Sequence, residues 1–329
     1  MNLKILLNLF TEFGIIEIVN SKIVNCIKPL QHIHQDRYKF FIKFIEDYLS
    51  IHPNINVTYI YTLFDGIREH SEPSDNPNFL KIDFNNSQHI SLLLKYRGVG
   101  SAGESGRFIS SYEVKDTFPI FDYKFIGFDR HKNDPYTCLI PDPDFIKSNG
   151  YIDLKKEIDQ NDIPFYDKIN KIFWRSGIHG KGYRYYDSNN NLSPRCLRKM
   201  LVDLSNQEIN KGSDWLNAKP SYNTTKKEML TYKYLISVPG EVSSWSNLFW
   251  LLYSNSVVFL VENHNEQWYY KDIKPWEHYI PVKADMSDLR ERYVWALNND
   301  EKCKEIADKG KDFAKSLTYY KVIENIKFI

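Results

Sequence analysis

Apolar and polar positions change period several times along this chain. Residues 14–27 alternate around Asn20-Ser21, the mark of a β-hairpin. Over residues 36–50, Phe41, Phe44, Ile45, Tyr48 and Leu49 recur at helical spacing and predict one apolar helix face. The run Val57-Thr58-Tyr59-Ile60-Tyr61-Thr62-Leu63-Phe64 reads as a buried strand ending in Asp65-Gly66. Residues 89–96 read as another strand, residues 98–107 as a Gly/Ser-rich loop, and Phe118–Phe121 and Cys138–Ile140 as short strands. Prolines and charges over 141–170 predict a connection between lobes.

The second half has stronger periods. Lys171-Ile172-Phe173-Trp174 predicts a strand leading into Arg175, and residues 194–205 a helix. Tyr234–Val238 predicts a strand followed by Pro239-Gly240, then a helix from about Ser243 to Tyr253. Ser256–Val261 is an apolar strand and Tyr279–Val282 another. Ser287 is placed to cap a helix over 288–298, and Asn298 with Glu301 fits a capping box for the last long helix. Strands alternating with helices predict an α/β fold with parallel sheets. The division expected is 1–165 for one lobe and 166–329 for the other, with the last helix returning to the first lobe.

Composition adds exclusions. Lys plus Arg is 43 and Asp plus Glu is 42, a net charge of +1 that gives no electrostatic case for bulk binding to nucleic acid or anionic membrane. Hydrophobic residues at 42% and charged residues at 26% are an ordinary globular balance, not that of a disordered chain. Aromatics reach 15%. The abundance of Asn, Ile, Lys and Tyr fits an AT-rich genome as readily as a sugar-stacking cleft. The four cysteines, Cys26, Cys138, Cys196 and Cys303, form no CxxC, which removes zinc-knuckle and thioredoxin readings and favours a reduced compartment. The apolar stretch within Met1–Glu12 is short and soon acidic, unlike a signal peptide. No run approaches the ~18 apolar residues of a membrane span. A cytoplasmic location is the expectation, the host cytoplasm for a viral chain.

Ligands of open α/β sheets bind outside the carboxyl ends of strands. Asp65 follows the strand 57–64, where a carboxylate serves either as a general base or as a turn cap. The strand 234–238, Gly240 and a helix start at Ser243-Ser244 make a phosphate-binding arrangement. No G-x-G-x-x-G or Walker loop occurs, which argues against a dinucleotide enzyme or an NTPase. Arg175, Arg184, Arg195 and Arg198 cluster around a strand end and the next helix, as a pyrophosphate clamp or as a solvated basic face. Asp142-Pro143-Asp144 has the DxD form of some metal-dependent sugar-nucleotide enzymes, a common accident of sequence. His32-Ile33-His34 lacks a third ligand at useful spacing, and no metal site is assigned.

The run Lys233–Gly240, then Ser243-Ser244-Trp245-Ser246-Asn247, then Ser256-Val257-Val258-Phe259 resembles glycosyltransferase family 90, which includes Rumi-type protein O-glucosyltransferases and fungal capsule-associated xylosyltransferases. Lys274-Pro275-Trp276-Glu277-His278-Tyr279-Ile280-Pro281-Val282-Lys283 is the most specific match. Ile306-Ala307-Asp308-Lys309-Gly310 also fits. Phe173-Trp174-Arg175-Ser176 looks like the family's aromatic-Arg-Gly-Ser motif with Ser at the Gly position, and Arg198 fits its second arginine. Upstream the match is looser, through the hairpin, Asp65 and Leu139-Ile140-Pro141-Asp142. The arginine usual after the Ser-Ser element is absent, since the helix reads Ser246-Asn247-Leu248-Phe249.

The resemblance implies a GT-B architecture of two Rossmann-like lobes facing a central cleft, the N-terminal one on the acceptor side and the C-terminal one holding a UDP-sugar. It implies inverting, metal-independent transfer of glucose or xylose to a hydroxyl of a glycan or protein acceptor. Asp65 would be the base. Arg175 or Arg198, with Ser176, Gly240, Ser243 and Ser244, would hold the diphosphate, and Glu262 the ribose. The missing arginine motivates an alternative, a catalytically silent GT-B protein that binds a glycan or partner.

Overall fold

A computed structural model describes residues 13–29, 35–63, 124–131, 137–178, 196–240, 245–263 and 265–327. The strand expected at 89–96, the loop at 98–107, the strand at Phe118–Phe121, and Asp65, Arg184, Arg195, Ser243, Ser244, His32 and His34 lie outside the described residues. In chain order the first elements are β1 (Phe13–Val19), β2 (Lys22–Ile27), α1 (Gln35–Ile51), β3 (Val57–Thr62), β4 (Lys124–Gly127), β5 (Arg130–His131), β6 (Thr137–Leu139), α2 (Pro143–Lys147) and α3 (Ile152–Asn161). There follow β7 (Ile169–Ser176), α4 (Leu197–Asn210), β8 (Leu216–Pro220), α5 (Lys226–Met229), β9 (Tyr232–Ser237), α6 (Asn247–Tyr253) and β10 (Val257–Val261). The last are β11 (Asn265–Glu266), β12 (Ile280–Val282), α7 (Leu289–Asn298), α8 (Asp300–Ser316) and α9 (Tyr319–Asn325).

Packing divides the chain into two units. Unit 1 is Met1–Lys147 with His264–Trp268 and Tyr319–Ile329, and unit 2 is Ser148–Asn263 with Tyr269–Thr318. The break falls after Lys147, where the sequence reading drew it at 165/166. The reason is the stretch 141–170, which is not a plain connection but folds into α2, α3 and a turn at Phe165–Asp167. Asp142 caps α2 by accepting from the backbone N–H of Asp144 and Phe145, each at 3.1 Å. Ile158 on α3 and Phe165 in the turn are fully buried.

Unit 1 carries a mixed sheet in the order β2-β1-β3-β4-β6. β1 runs antiparallel to β2 and β3, while β3–β4 and β4–β6 are parallel. The β1–β2 turn is Asn20-Ser21 with φ of 49° and 57°, the doubly left-handed form that a two-residue hairpin requires. Ser21 holds that conformation through its hydroxyl, which donates to His52 O at 2.7 Å and accepts from Ile55 N at 2.9 Å. α1 buries Phe41, Phe44, Ile45, Tyr48 and Leu49, and Phe41 stacks on Tyr61 of β3 at 4.3 Å. α9 packs on α1, with Tyr319 Oη donating to Asp47 at 2.7 Å.

Unit 2 carries a five-stranded sheet in the order β12-β10-β9-β7-β8, parallel at each of its pairings. β10 is buried along its whole length, as a central parallel strand must be. Together with β9 and β7 it completes a core with Leu197 and Leu201 of α4 and Ile306 of α8. Gly212 (φ 76°) ends α4 in the left-handed conformation that closes many helices. Three expected features differ. α6 begins at Asn247, not Ser243, because Trp245 holds φ 78° and no helix runs through that conformation. Neither expected cap forms, since the N-cap residues are Asp288 and Asn299 and neither makes a side-chain cap bond. Asn298 instead donates back to Val294 O at 2.9 Å.

Candidate functional site

Taken in chain order, the unit 2 strands stand 2-1-3-4-5 across the sheet. The chain leaves β7 for β8 on one side and then returns to β9 on the other. Such a reversal opens a crevice at the carboxyl ends of the two strands that flank it. The residues just past those ends are Gly177 after β7 and Val238-Pro239-Gly240 after β9. Arg198, in the first turn of α4, reaches both. Its Nη1 donates to Gly177 O at 3.0 Å, and Nη2 lies 2.8 Å from where a Cβ on Gly240 would stand.

A small open pocket lies there, its described lining all within unit 2. Its floor is apolar, from Val238, Leu248 and Leu260. Polar groups come from Arg198, Ser237, Asn247, Asn263 and Tyr270. Among the described residues that line it, Arg198 is the cation, and there is no carboxylate. One fixed guanidinium beside amides and hydroxyls suits a hydroxylated anion.

The structure separates the sequence candidates. Arg198 and Gly240 line the pocket together. Arg175 faces β8 instead: its Nη1 donates to Trp174 O at 2.7 Å and Asn217 O at 2.8 Å, and Nη2 donates to Asn217 Oδ1 at 2.8 Å. Its guanidinium also lies 4.1 Å from the centroid of the Phe173 ring. Burial pulls its pKa down, opposed by the charges of Glu228 and Tyr232. Ser176 O accepts from Ser221 N at 3.1 Å. Glu262 is exposed past the end of β10, where its charge adds to burial in raising the pKa of Tyr279. The residue in the pocket is its neighbour Asn263. Glu266 is paired with Arg130 in unit 1, which donates to its Oε1 from Nε at 2.8 Å and Nη2 at 2.7 Å. Asp142, the first acid of the DxD, is 1% exposed and spent on its cap.

Two pocket residues escaped the sequence reading. Asn263 stands two positions past the end of β10, so the strand-end rule could have found it. Tyr270 comes from a short turn, Tyr270–Asp272, with no periodic signal.

Strand order and pocket define an α/β unit with a crevice at its switch point, the place where open α/β sheets bind ligands. Comparison with known proteins narrows this. Residues 138–325, more than half of the chain, match the profile described as Glycosyl transferase family 90. The chain belongs to that family. It is 35% identical over 150 residues to Protein O-glucosyltransferase 2 of Danio rerio, covering 45% of this chain and 29% of that one. It is 33% identical over 136 residues to the O-glucosyltransferase rumi homolog of Aedes aegypti, covering 40% and 34%. It is also 36% identical over 130 residues to the uncharacterized protein 179R of Invertebrate iridescent virus 6, covering 37% and 10%. The chain therefore spans only a minor part of the length of these relatives.

Proposed function

We propose that the chain is an inverting glycosyltransferase of GT-B type that moves glucose or xylose from a UDP-sugar to a hydroxyl of a glycan or protein acceptor. What carries the reading is Arg198 in the switch-point pocket of a family 90 chain whose relatives include proteins named O-glucosyltransferases. In such a transfer the acceptor oxygen bonds to the anomeric carbon as the bond from that carbon to the diphosphate breaks on the opposite face. Negative charge grows on the departing UDP. A guanidinium already fixed by Gly177 O meets that charge without reorganising, which is where a preorganised site gains most. The acceptor proton passes to a carboxylate, and we assign this to Asp65, the residue the family resemblance marks. Metal independence is what the family resemblance implies; in the DxD, Asp142 Oδ1 caps α2. EDTA then leaves the rate unchanged, and a requirement restored by Mn²⁺ would contradict it.

Calorimetry and hydrolysis assays with UDP, UDP-glucose and UDP-xylose test the reading. A sugar nucleotide that binds and is slowly hydrolysed is expected. At 100 times its Kd it should add about 2.7 kcal/mol to stability. No binding across the panel overturns the reading. Binding without turnover favours the silent binding protein, the reading supported by Asn247 standing in the pocket near the place of the family's usual arginine.

A further inference from the structure

Arg198 sits in the wrong place for a helix-stabilising cation. It lies in the first turn of α4, where the helix dipole is positive, and no acidic residue shares that turn. Its long side chain also gives up rotamer freedom to hold one pose. Something outside the helix therefore keeps the guanidinium in the pocket. Two glycines bracket it. Gly177 supplies the carbonyl that accepts from Nη1. Gly240 supplies vacancy: a Cβ there would stand 2.8 Å from Nη2 and 3.1 Å from Cζ, so any side chain would displace the guanidinium. Gly177 is itself covered by the ring of Tyr222, which occupies the place its Cβ would take, at 2.4 Å from Cε1 and Oη. Tyr222 is 72% exposed.

We propose that Gly177, Gly240 and Tyr222 are positioning residues for Arg198. Tyr222 fixes the Gly177 carbonyl, the carbonyl orients the guanidinium, and the missing side chain at 240 leaves it room. The inference rests on the donor reading above for the ligand that reports it, and on the geometry alone for the placement of the arginine.

A double-mutant cycle on UDP affinity, with uridine as the uncharged control, tests the proposal. Gly240→Ala and Arg198→Ala are each expected to weaken UDP by about tenfold or more, the size of one lost charged hydrogen bond, with uridine unaffected. In the Arg198→Ala background, Gly240→Ala should add nothing, because its effect runs through that side chain. Equal losses for UDP and uridine, or additive losses, overturn the proposal. Should Gly240→Ala not fold, Tyr222→Ala takes its place in the cycle, since an exposed ring can be removed without opening the core. A second measurement needs no nucleotide. The Nε–H resonance of Arg198, identified by its loss in Arg198→Lys, should shift in Gly240→Ala and in Tyr222→Ala, and an unmoved resonance overturns the proposal. If the wild type takes up no UDP, the donor reading falls while this resonance still decides the bracket.

Discussion

Two arginines that look alike in sequence part company at the level of single residues. Arg175 lies near the end of β7 and Arg198 in the first turn of the next helix, α4, and both fit motifs of the family. One guanidinium is spent on Asn217 of the neighbouring strand and the other opens onto the pocket. Arg175→Ala is therefore expected to cost stability, roughly 2–3 kcal/mol by chemical denaturation for its lost charge-assisted bonds. UDP affinity should stay near that of the wild type in the same variant, and a selective loss of UDP binding would return Arg175 to the site. Asp65→Asn should behave in the opposite way. If Asp65 is the proposed base, transfer should fall by about 10²–10⁴-fold while UDP binding stays unchanged. Turnover close to wild type would remove Asp65 from the mechanism. Which arginine faces the ligand was not legible in the sequence, because the direction of Arg175 depends on Asn217, a residue brought alongside only by strand pairing.

Among elements, the hairpin gives the sharpest prediction. Ser21 is a poor residue for φ 57°, and its hydroxyl offsets that with two bonds, to His52 O and from Ile55 N. Ser21→Ala should destabilise the protein by about 1–2 kcal/mol, read as a lower urea midpoint, and an unchanged midpoint would show the turn needs neither bond. Elements with one strong apolar period were legible before the structure: the hairpin, α1, β9 and β10. Others carry too little signal. β8 reads Leu-Asn-Ala-Lys-Pro, with only Leu216 and Ala218 buried, and becomes a strand because β7 lies beside it. α3 buries Ile158 alone, so its charges read as a linker. The expected capping box fails for a geometric reason, since the helix break sits at Asn299, one residue beyond Asn298.

At the scale of the whole molecule, buried phenols and a buried thiol set the alkaline limit. Burial, aided by the hydrogen bond to Asp159, pushes Tyr253 up to about 12, and burial with the charge of Asp300 pushes Cys303 up to about 12. Burial raises Tyr59, Tyr61, Tyr234 and Tyr319 as well. Each of these groups holds its proton more tightly folded than unfolded. Their contribution is present in full below the unfolded values of 9.0 for the thiol and 10.0 for the phenols, and is lost as pH climbs through the folded ones. Lys155, Lys168 and Lys311 oppose this, because burial lowers their pKa and the folded state gains as they approach neutrality. Among the described residues the raised phenols outnumber the lowered lysines. The urea midpoint should therefore fall above about pH 10, and a midpoint that holds to pH 12 would contradict this balance.

The helix α9 has a consequence for how the protein is made. Tyr319 meets Phe44 and Asp47 of α1, so unit 1 borrows one of its pieces from far down the chain. On the ribosome, α1 emerges early and must wait for the last part of the described chain before that face is covered. At roughly 5–20 residues per second the wait lasts on the order of tens of seconds. The usual order of vectorial folding is thereby inverted: the first unit to be synthesised is not the first able to close. A nascent chain paused before Tyr319 would present the uncovered flank of α1 to the cell's chaperones.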